Sequence, residues 1–196
     1  MTKRIFEPMT ALMPLPAVMV SCQRPNEKPN IITIAWTGIV CSDPPMLSIS
    51  IRKGRYSHDI IQSTGEFVVN ITTKDLARAT DLCGLVSGRN QNKFELVGLT
   101  PVMGDKVKAP LIAESPINLE CRTKTVLELG SHDMFVAEIV ATHIDENILE
   151  GDGRVNIEKM NLLVYCTQAR QYWAGLSTMI GKHSFTSAEL KARDKS

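Results

Sequence analysis

From residue 17 to residue 165 the chain keeps returning to one pattern, short runs in which apolar side chains alternate with small or polar ones, cut by turn residues. In residues 31–37, Ile32, Ile34 and Trp36 fall on one face and Thr33, Ala35 and Thr37 on the other. In 46–51, Leu47, Ile49 and Ile51 stand opposite Ser48 and Ser50; in 66–71, Phe67, Val69 and Ile71 stand opposite Val68 and Asn70. Side chains of a strand change face at every residue, so a period of two marks strands. Residues 17–22, 117–129, 134–144 and 162–165 are further strands, with Gly130-Ser131-His132-Asp133 as the hairpin connection between the two long ones. Helical spacing is confined to two segments. Residues 57–63 follow a basic loop, with Ser57 as the expected N-cap and Gly65 as the C-terminal stop; residues 74–86 carry Leu76, Ala79, Cys83 and Val86 behind a capping Thr72-Thr73. Many strands with two helices do not make a doubly wound parallel sheet, which needs a helix between successive strands. An antiparallel barrel, closed or nearly closed, is expected instead.

Size and charge narrow the classes. A chain of 196 residues suits one domain, with a core over about residues 8–170 and a charged tail from Ser187. The 22 Lys and Arg balance 21 Asp and Glu, and no basic block stands out, so the electrostatic footprint of a nucleic-acid binder is missing. No apolar run has the length of a membrane-spanning helix. Lys3-Arg4 ahead of an apolar stretch ending at Cys22 faintly resembles a lipoprotein leader, but Glu7, Pro8, Pro14 and Pro16 interrupt it, and a cytoplasmic protein is expected. Cys22, Cys41, Cys83, Cys121 and Cys166 are odd in number and lack Cys-x-x-Cys spacing, so neither a disulfide framework nor a metal site is expected. All but Cys41 lie in apolar periodic segments and read as inert core thiols.

Two segments offer chemistry. In 50–58, a strand runs through Arg52, Lys53 and Arg55 into a helix beginning near Tyr56-Ser57. Free N–H groups at a helix start, beside guanidinium groups and a hydroxyl, make a phosphate site; the same residues also make an ordinary solvated turn. In 30–45, small and hydroxylated Thr33, Ala35 and Thr37 would let a flat ligand approach the backbone, Trp36 would wall it, and Asp43-Pro44-Pro45 ends the segment; the plainer reading is a core strand with a buried Trp. His132 in the hairpin and Lys93 in the long excursion 87–108 read singly as surface groups. No nucleotide-binding glycine motif, Ser-His-Asp order or metal-ligand spacing is present, and no catalytic acid or base can be named.

Together these segments follow one order. Asn30 and a small-residue strand with Trp36 lead to Ser42-Asp43-Pro44-Pro45; Arg52-Lys53 and Tyr56-Ser57-His58 lead to residues 65–70; then, far downstream, comes the block 130–140. This order resembles the flavin reductase-like family of FMN-binding split barrels, and within it the flavoredoxin branch, over about residues 8–170. In reductases of that family the downstream block usually reads Gly-Asp-His, so Ser131 and Asp133 are departures. The resemblance implies a mainly β fold, an antiparallel Greek-key split barrel with a few short helices, holding FMN non-covalently at the interface of a homodimer. Position by position it implies Asn30, Thr33, Ala35, Trp36 and Thr37 along the isoalloxazine and ribityl, and Ser50, Arg52, Lys53, Tyr56 and Ser57 around the phosphate. It implies Lys93, His132 and Tyr165 as further flavin contacts.

The activity so implied is electron transfer between NAD(P)H or another reduced carrier and an acceptor, the flavin carrying the chemistry. Two alternatives stand beside it: an electron carrier supplied by a redox protein, without nicotinamide turnover of its own, and a non-enzymatic binding protein on the same barrel.

Overall fold

The computed structural model describes residues 1–176 and 178–180; the expected tail from Ser187 lies outside them. In chain order the strands are β1 (Leu15–Pro16), β2 (Val18–Cys22), β3 (Asn30–Ile34), β4 (Thr37–Ser42) and β5 (Pro45–Arg52), followed by helix α1 (Tyr56–Thr64) and β6 (Glu66–Ile71). A 3-10 turn, Lys74–Leu76, then opens α2 (Ala77–Leu85), and α3 (Lys93–Val97) sits in the excursion. Next come β7 (Pro101–Val102), β8 (Leu111–Ile112), β9 (Ile117–Glu128), β10 (His132–Ile144), β11 (Leu163–Cys166) and β12 (Gln171–Ala174).

Seven strands form one antiparallel sheet in the order β3-β2-β6-β9-β10-β5-β4. The neighbours β2–β6 and β10–β5 are far apart in sequence, the interleaving of a Greek key. The two edge strands, β3 and β4, are consecutive in the chain with only Ala35 and Trp36 between them. Three backbone steps from Ile34 to Thr37 reach about 11 Å at most, so the sheet must curl until its edges nearly meet. The Ser50 N–H donates to the Trp36 carbonyl at 2.8 Å and pins the crossing. This corrects the expected single strand over residues 31–37. Because the chain turns at Ala35-Trp36, Trp36 leaves the face of Ile32 and Ile34 and is 40% exposed, while those two isoleucines are buried. Trp36 is therefore not a core tryptophan.

The curled sheet encloses Val18, Val20, Ile49, Ile51, Phe67 and Phe135, with Ile60 and Ile61 of α1 packed into the same interior. On the outer face of β2 and β3, Met19 and Ile31 pack against Leu76, Ala79 and Cys83 of the α2 region and Phe94 of α3. Strand β2 is thus buried on both faces, which is why residues 17–22 read as a continuous apolar run. Helix α1 stops at Gly65 as expected, at φ 68°, with its N–H donating to Ile61 O. Its start differs: Arg55 is the N-cap residue, without a side-chain cap bond, and Ser57 lies inside the first turn. Thr73 does not cap the second helix through its side chain either; Thr72 Oγ1 instead donates to Ala17 O. No helix among the described residues is long and apolar enough to cross a membrane.

Burial pushes the Cys22 and Cys121 thiols up to about 12 and Cys83 to about 11, so these three are inert. Cys166 is only half-buried, which separates it from the core thiols with which the sequence grouped it.

Candidate functional site

The pinch between β3 and β4 opens into a cleft of about 470 Å³. Thr33, Ala35 and Trp36 form one side, Ser50, Arg52 and His132 a second, and Tyr165, Arg170 and Tyr172 a third. Pairing explains the second side. In the β5–β10 register Arg52 lies opposite His132 and Ser50 opposite Met134, while the intervening Ile51 points into the barrel core. The His132 ring lies 6.1 Å from Trp36 with planes 3° apart. Burial, together with the Arg52 guanidinium, holds the His132 imidazole below its ordinary value, so the ring is neutral at pH 7.

Alternation puts the next residue underneath. Asp133 is buried and receives His58 Nε2 at 2.8 Å, with Lys53 Nζ 3.5 Å from its other oxygen. Burial alone would raise the Asp133 carboxyl, but His58 and Lys53 outweigh it and hold the group below the usual carboxylate range. This pair ties α1 to the start of β10, and so holds the basic loop against His132. The departure at positions 131–133 therefore has a structural use: one hairpin residue faces the cleft and the next anchors the helix.

A smaller cavity of about 130 Å³ adjoins the cleft, and both are lined by Ile32 and Arg55. Asn30, Ser57, Gly88 and Lys93 complete its wall. Asn30 is 3% exposed; its Nδ2 donates to Ser57 Oγ at 2.7 Å, and its Oδ1 has no partner. Lys93 is also 3% exposed, not a surface group, and donates to Ile31 O and Cys83 O, each at 2.7 Å. Burial pushes its amine down to about 8, so it remains largely protonated at pH 7 with one of three donors uncommitted.

These two partner deficits have opposite sign. Asn30 Oδ1 needs a donor, as a hydroxyl supplies; the Lys93 ammonium and Arg55 guanidinium need an acceptor, as a phosphate supplies. A polyol phosphate attached to a flat ring satisfies both while its ring occupies the larger cleft. The residues present therefore fit a phosphorylated flavin. A Cβ at Gly84 would lie 3.3 Å from Thr33 Cβ, so α2 packs close against β3 beside the cleft.

The expected site residues are distributed as follows. Thr33, Ala35, Trp36, Ser50, Arg52, His132 and Tyr165 line the cleft, and Asn30, Tyr56, Ser57 and Lys93 line the small cavity. Thr37 is on the far side of the pinch, its hydroxyl donating to Ser48 O at 2.7 Å. Lys53 lines neither chamber; its Nζ is held by Glu128 at 2.7 Å. Arg55, Asp81, Arg170 and Tyr172 line the cleft without having been singled out as contacts. Arg55 stood in the basic loop, but which of three cations turns inward depends on the β5–α1 corner. Asp81 arrives on α2, Arg170 in the β11–β12 turn and Tyr172 on β12, and nothing local in the sequence marked them. Burial, then Asp81, pushes the Tyr172 hydroxyl up to about 12, so it stays protonated at pH 7.

A curled antiparallel barrel with a ring-sized cleft and an adjoining anion cavity defines a class of flavin-type binding barrels. The comparisons agree. The model of the flavin reductase like domain matches residues 9–174. Flavoredoxin of Desulfovibrio vulgaris (Miyazaki F) superposes with a TM-score of 0.88 at 33% identity, over 94% of this chain and 99% of that one. Flavoredoxin from Methanosarcina acetivorans gives 0.88 at 30% identity, over 96% and 100%. An uncharacterized protein of Archaeoglobus fulgidus is 39% identical over 131 residues, 67% of this chain and 73% of its own length. The chain belongs to the flavin reductase-like family.

Proposed function

We propose that this protein is an FMN-dependent oxidoreductase, passing electrons between NAD(P)H or another reduced carrier and an acceptor. The observation that carries the reading is the pair of contiguous chambers sharing Ile32 and Arg55, one of ring size and one with a donor-seeking oxygen beside two cations. A flavin bound there supplies hydride and single-electron chemistry. The chain's own residues bind and tune it. Arg52 brings positive charge to the cleft, which favours an anionic reduced ring over a neutral oxidised one. Neutral His132 and Trp36 wall the ring, and Lys93 with Arg55 holds the phosphate. Family resemblance and a cavity of one-phosphate size favour FMN.

A second copy of the chain closes the site in this reading. Edge strand β4 exposes Ile39 and Val40 beside Trp36, and an apolar groove of about 460 Å³ runs between that strand and residues 9–12. An uncovered apolar edge strand invites pairing, and burying it against a partner would also shield the ring end of the cleft.

The test is direct. The purified protein is expected to be yellow, with pigment released by heat chromatographing as FMN; a colourless protein that takes up no added flavin overturns the reading. Anaerobic titration with NADH and NADPH then separates the reductase from a carrier. The likeness to the flavoredoxins favours the carrier as second reading, in which neither nicotinamide bleaches the flavin while dithionite does.

A further inference from the structure

Beyond the small cavity lies a third, outer basin of about 370 Å³, and the two share Asn30, Tyr56 and Gly88. What divides them is built closely. A Cβ on Gly88 would collide with Asn30 Oδ1 and come within 2.7 Å of its Cγ and 3.0 Å of Tyr56 Cδ1, so the Gly88 backbone lies directly on both side chains. The next residue clamps it there. Arg89 Nη1 donates to Gly54 O at 3.2 Å, its Nη2 binds Asp59 Oδ2 at 2.6 Å, and the guanidinium lies 5.3 Å over the Tyr56 ring. One side chain thus joins the excursion to the basic loop, to α1 and to the aromatic residue between them.

We propose that Gly88 and Arg89 close the phosphate end of the site, so that it accepts one phosphate and excludes a dinucleotide. The inference rests on the reading that the small cavity holds a flavin phosphate. A second phosphate, as in FAD, would have to pass where Gly88 meets Asn30 and Tyr56. On the far side it would meet the Glu27 carboxylate, which accepts from the Tyr56 hydroxyl at 3.2 Å. The cations there are already engaged: Arg24 pairs with Glu27 at 3.5 Å, Lys28 with Glu95 at 3.7 Å and Arg89 with Asp59. Like charge and a shut partition both select against the longer ligand, whereas the single phosphate stays inside with Lys93 and Arg55.

Equilibrium binding of FMN, FAD and riboflavin to the full chain, freed of any co-purified flavin, tests this. The wild-type protein is expected to bind FMN more tightly than FAD and more tightly than riboflavin. Arg89→Ala is expected to lower the FAD-to-FMN ratio of Kd values by about tenfold or more, with riboflavin binding unchanged, because one charge-assisted closure is lost. Asp59→Asn, which keeps the Arg89 charge but removes its anchor, should move the ratio in the same direction; Arg89 is exposed, so neither change threatens the core. Equal wild-type affinity for FAD and FMN, or an unchanged ratio in both variants while FMN still binds better than riboflavin, overturns the closure and leaves the phosphate assignment standing. If FMN binds no better than riboflavin, the phosphate assignment itself fails, and the closure with it.

Discussion

Two buried polar side chains on different parts of the sheet have opposite fates. Glu120 of β9 is fully buried, and every lone-pair direction it offers is in use. Its Oε1 accepts from the Asp105 N–H at 2.9 Å and His143 Nε2 at 2.6 Å, and its Oε2 from the N–H groups of Lys106 and Val107 at 2.7 Å each. Burial would raise its carboxyl, but those donors hold it below the usual range. Asn30 of β3 is as deeply buried and leaves its carbonyl oxygen alone. An unpaired buried acceptor costs roughly 1–3 kcal/mol, so its persistence calls for an explanation. The satisfied group is architecture, and the unsatisfied one lines the small cavity. Asp105, Glu120 and His143 bring their polar atoms within 4.8 Å of one another, as a metal site would, but both oxygens of the central carboxylate already face N–H donors.

The sharpest break of this contrast is Glu120→Gln. Its amide would aim N–H at N–H, and we expect a loss of about 3 kcal/mol or more of unfolding free energy in urea, with flavin affinity of the folded fraction unchanged. A loss below about 1 kcal/mol would show that the clip is not structural.

Asn30→Ala should do the reverse. Stability should move by less than about 1 kcal/mol, since an orphan oxygen goes along with one bond to Ser57, while FMN affinity falls about tenfold. A variant that loses stability and keeps its flavin would merge the two classes.

Acid sharpens the comparison further. The Glu120 carboxyl titrates lower in the folded chain than unfolded, so its contribution is present above its ordinary value of 4.5 and is lost as pH falls through the depressed folded value. Urea midpoints of wild type and Glu120→Gln should therefore converge on acidification below pH 4.5. Parallel curves would deny the carboxylate its role.

Lys93 answers to base instead of acid. Its amine, pushed down from 10.5 to about 8, is charged less readily in the folded chain, so the unfolded state binds more protons between those values and stability of the flavin-free protein should rise across that window. FMN affinity should fall over the same rise, as the ammonium facing the phosphate loses its proton. Lys93→Met should flatten both trends; a pH-independent FMN affinity in wild type would remove Lys93 from the phosphate's surroundings.

Much of this is legible in the sequence. Period-two runs at 46–51, 66–71, 117–129 and 134–144 became β5, β6, β9 and β10 within a residue or two, because successive side chains of a strand go to opposite faces with different surroundings. Gly65 was legible for a local reason, the left-handed cap conformation. The site was legible in part. Thr33, Trp36, Ser50 and Arg52 do meet in one cleft. The plain reading of Lys93 as a surface group could not survive, since only packing of α3 on β3 places it beneath the cavity floor. Lys53 and Arg55 differ for a related reason: one turns to Glu128 and Asp133, the other inward, at a corner where local preference is indifferent.

What the sequence by itself determined was the strands β2, β5, β6, β9, β10 and β11 and the basic turn, all governed by interactions within a few residues, whereas β1, β4, β7, β8 and β12 carried no pattern that singled them out. What only the tertiary structure decided was the break at Ala35-Trp36, which sends consecutive strands to opposite edges of the sheet, and the arrival of Asp81, Arg170 and Tyr172 at the same cleft. Closing a curled sheet is a property of seven strands together, and the groups it gathers are set by pairings between residues as far apart as Arg52 and His132, which short-range patterning does not encode.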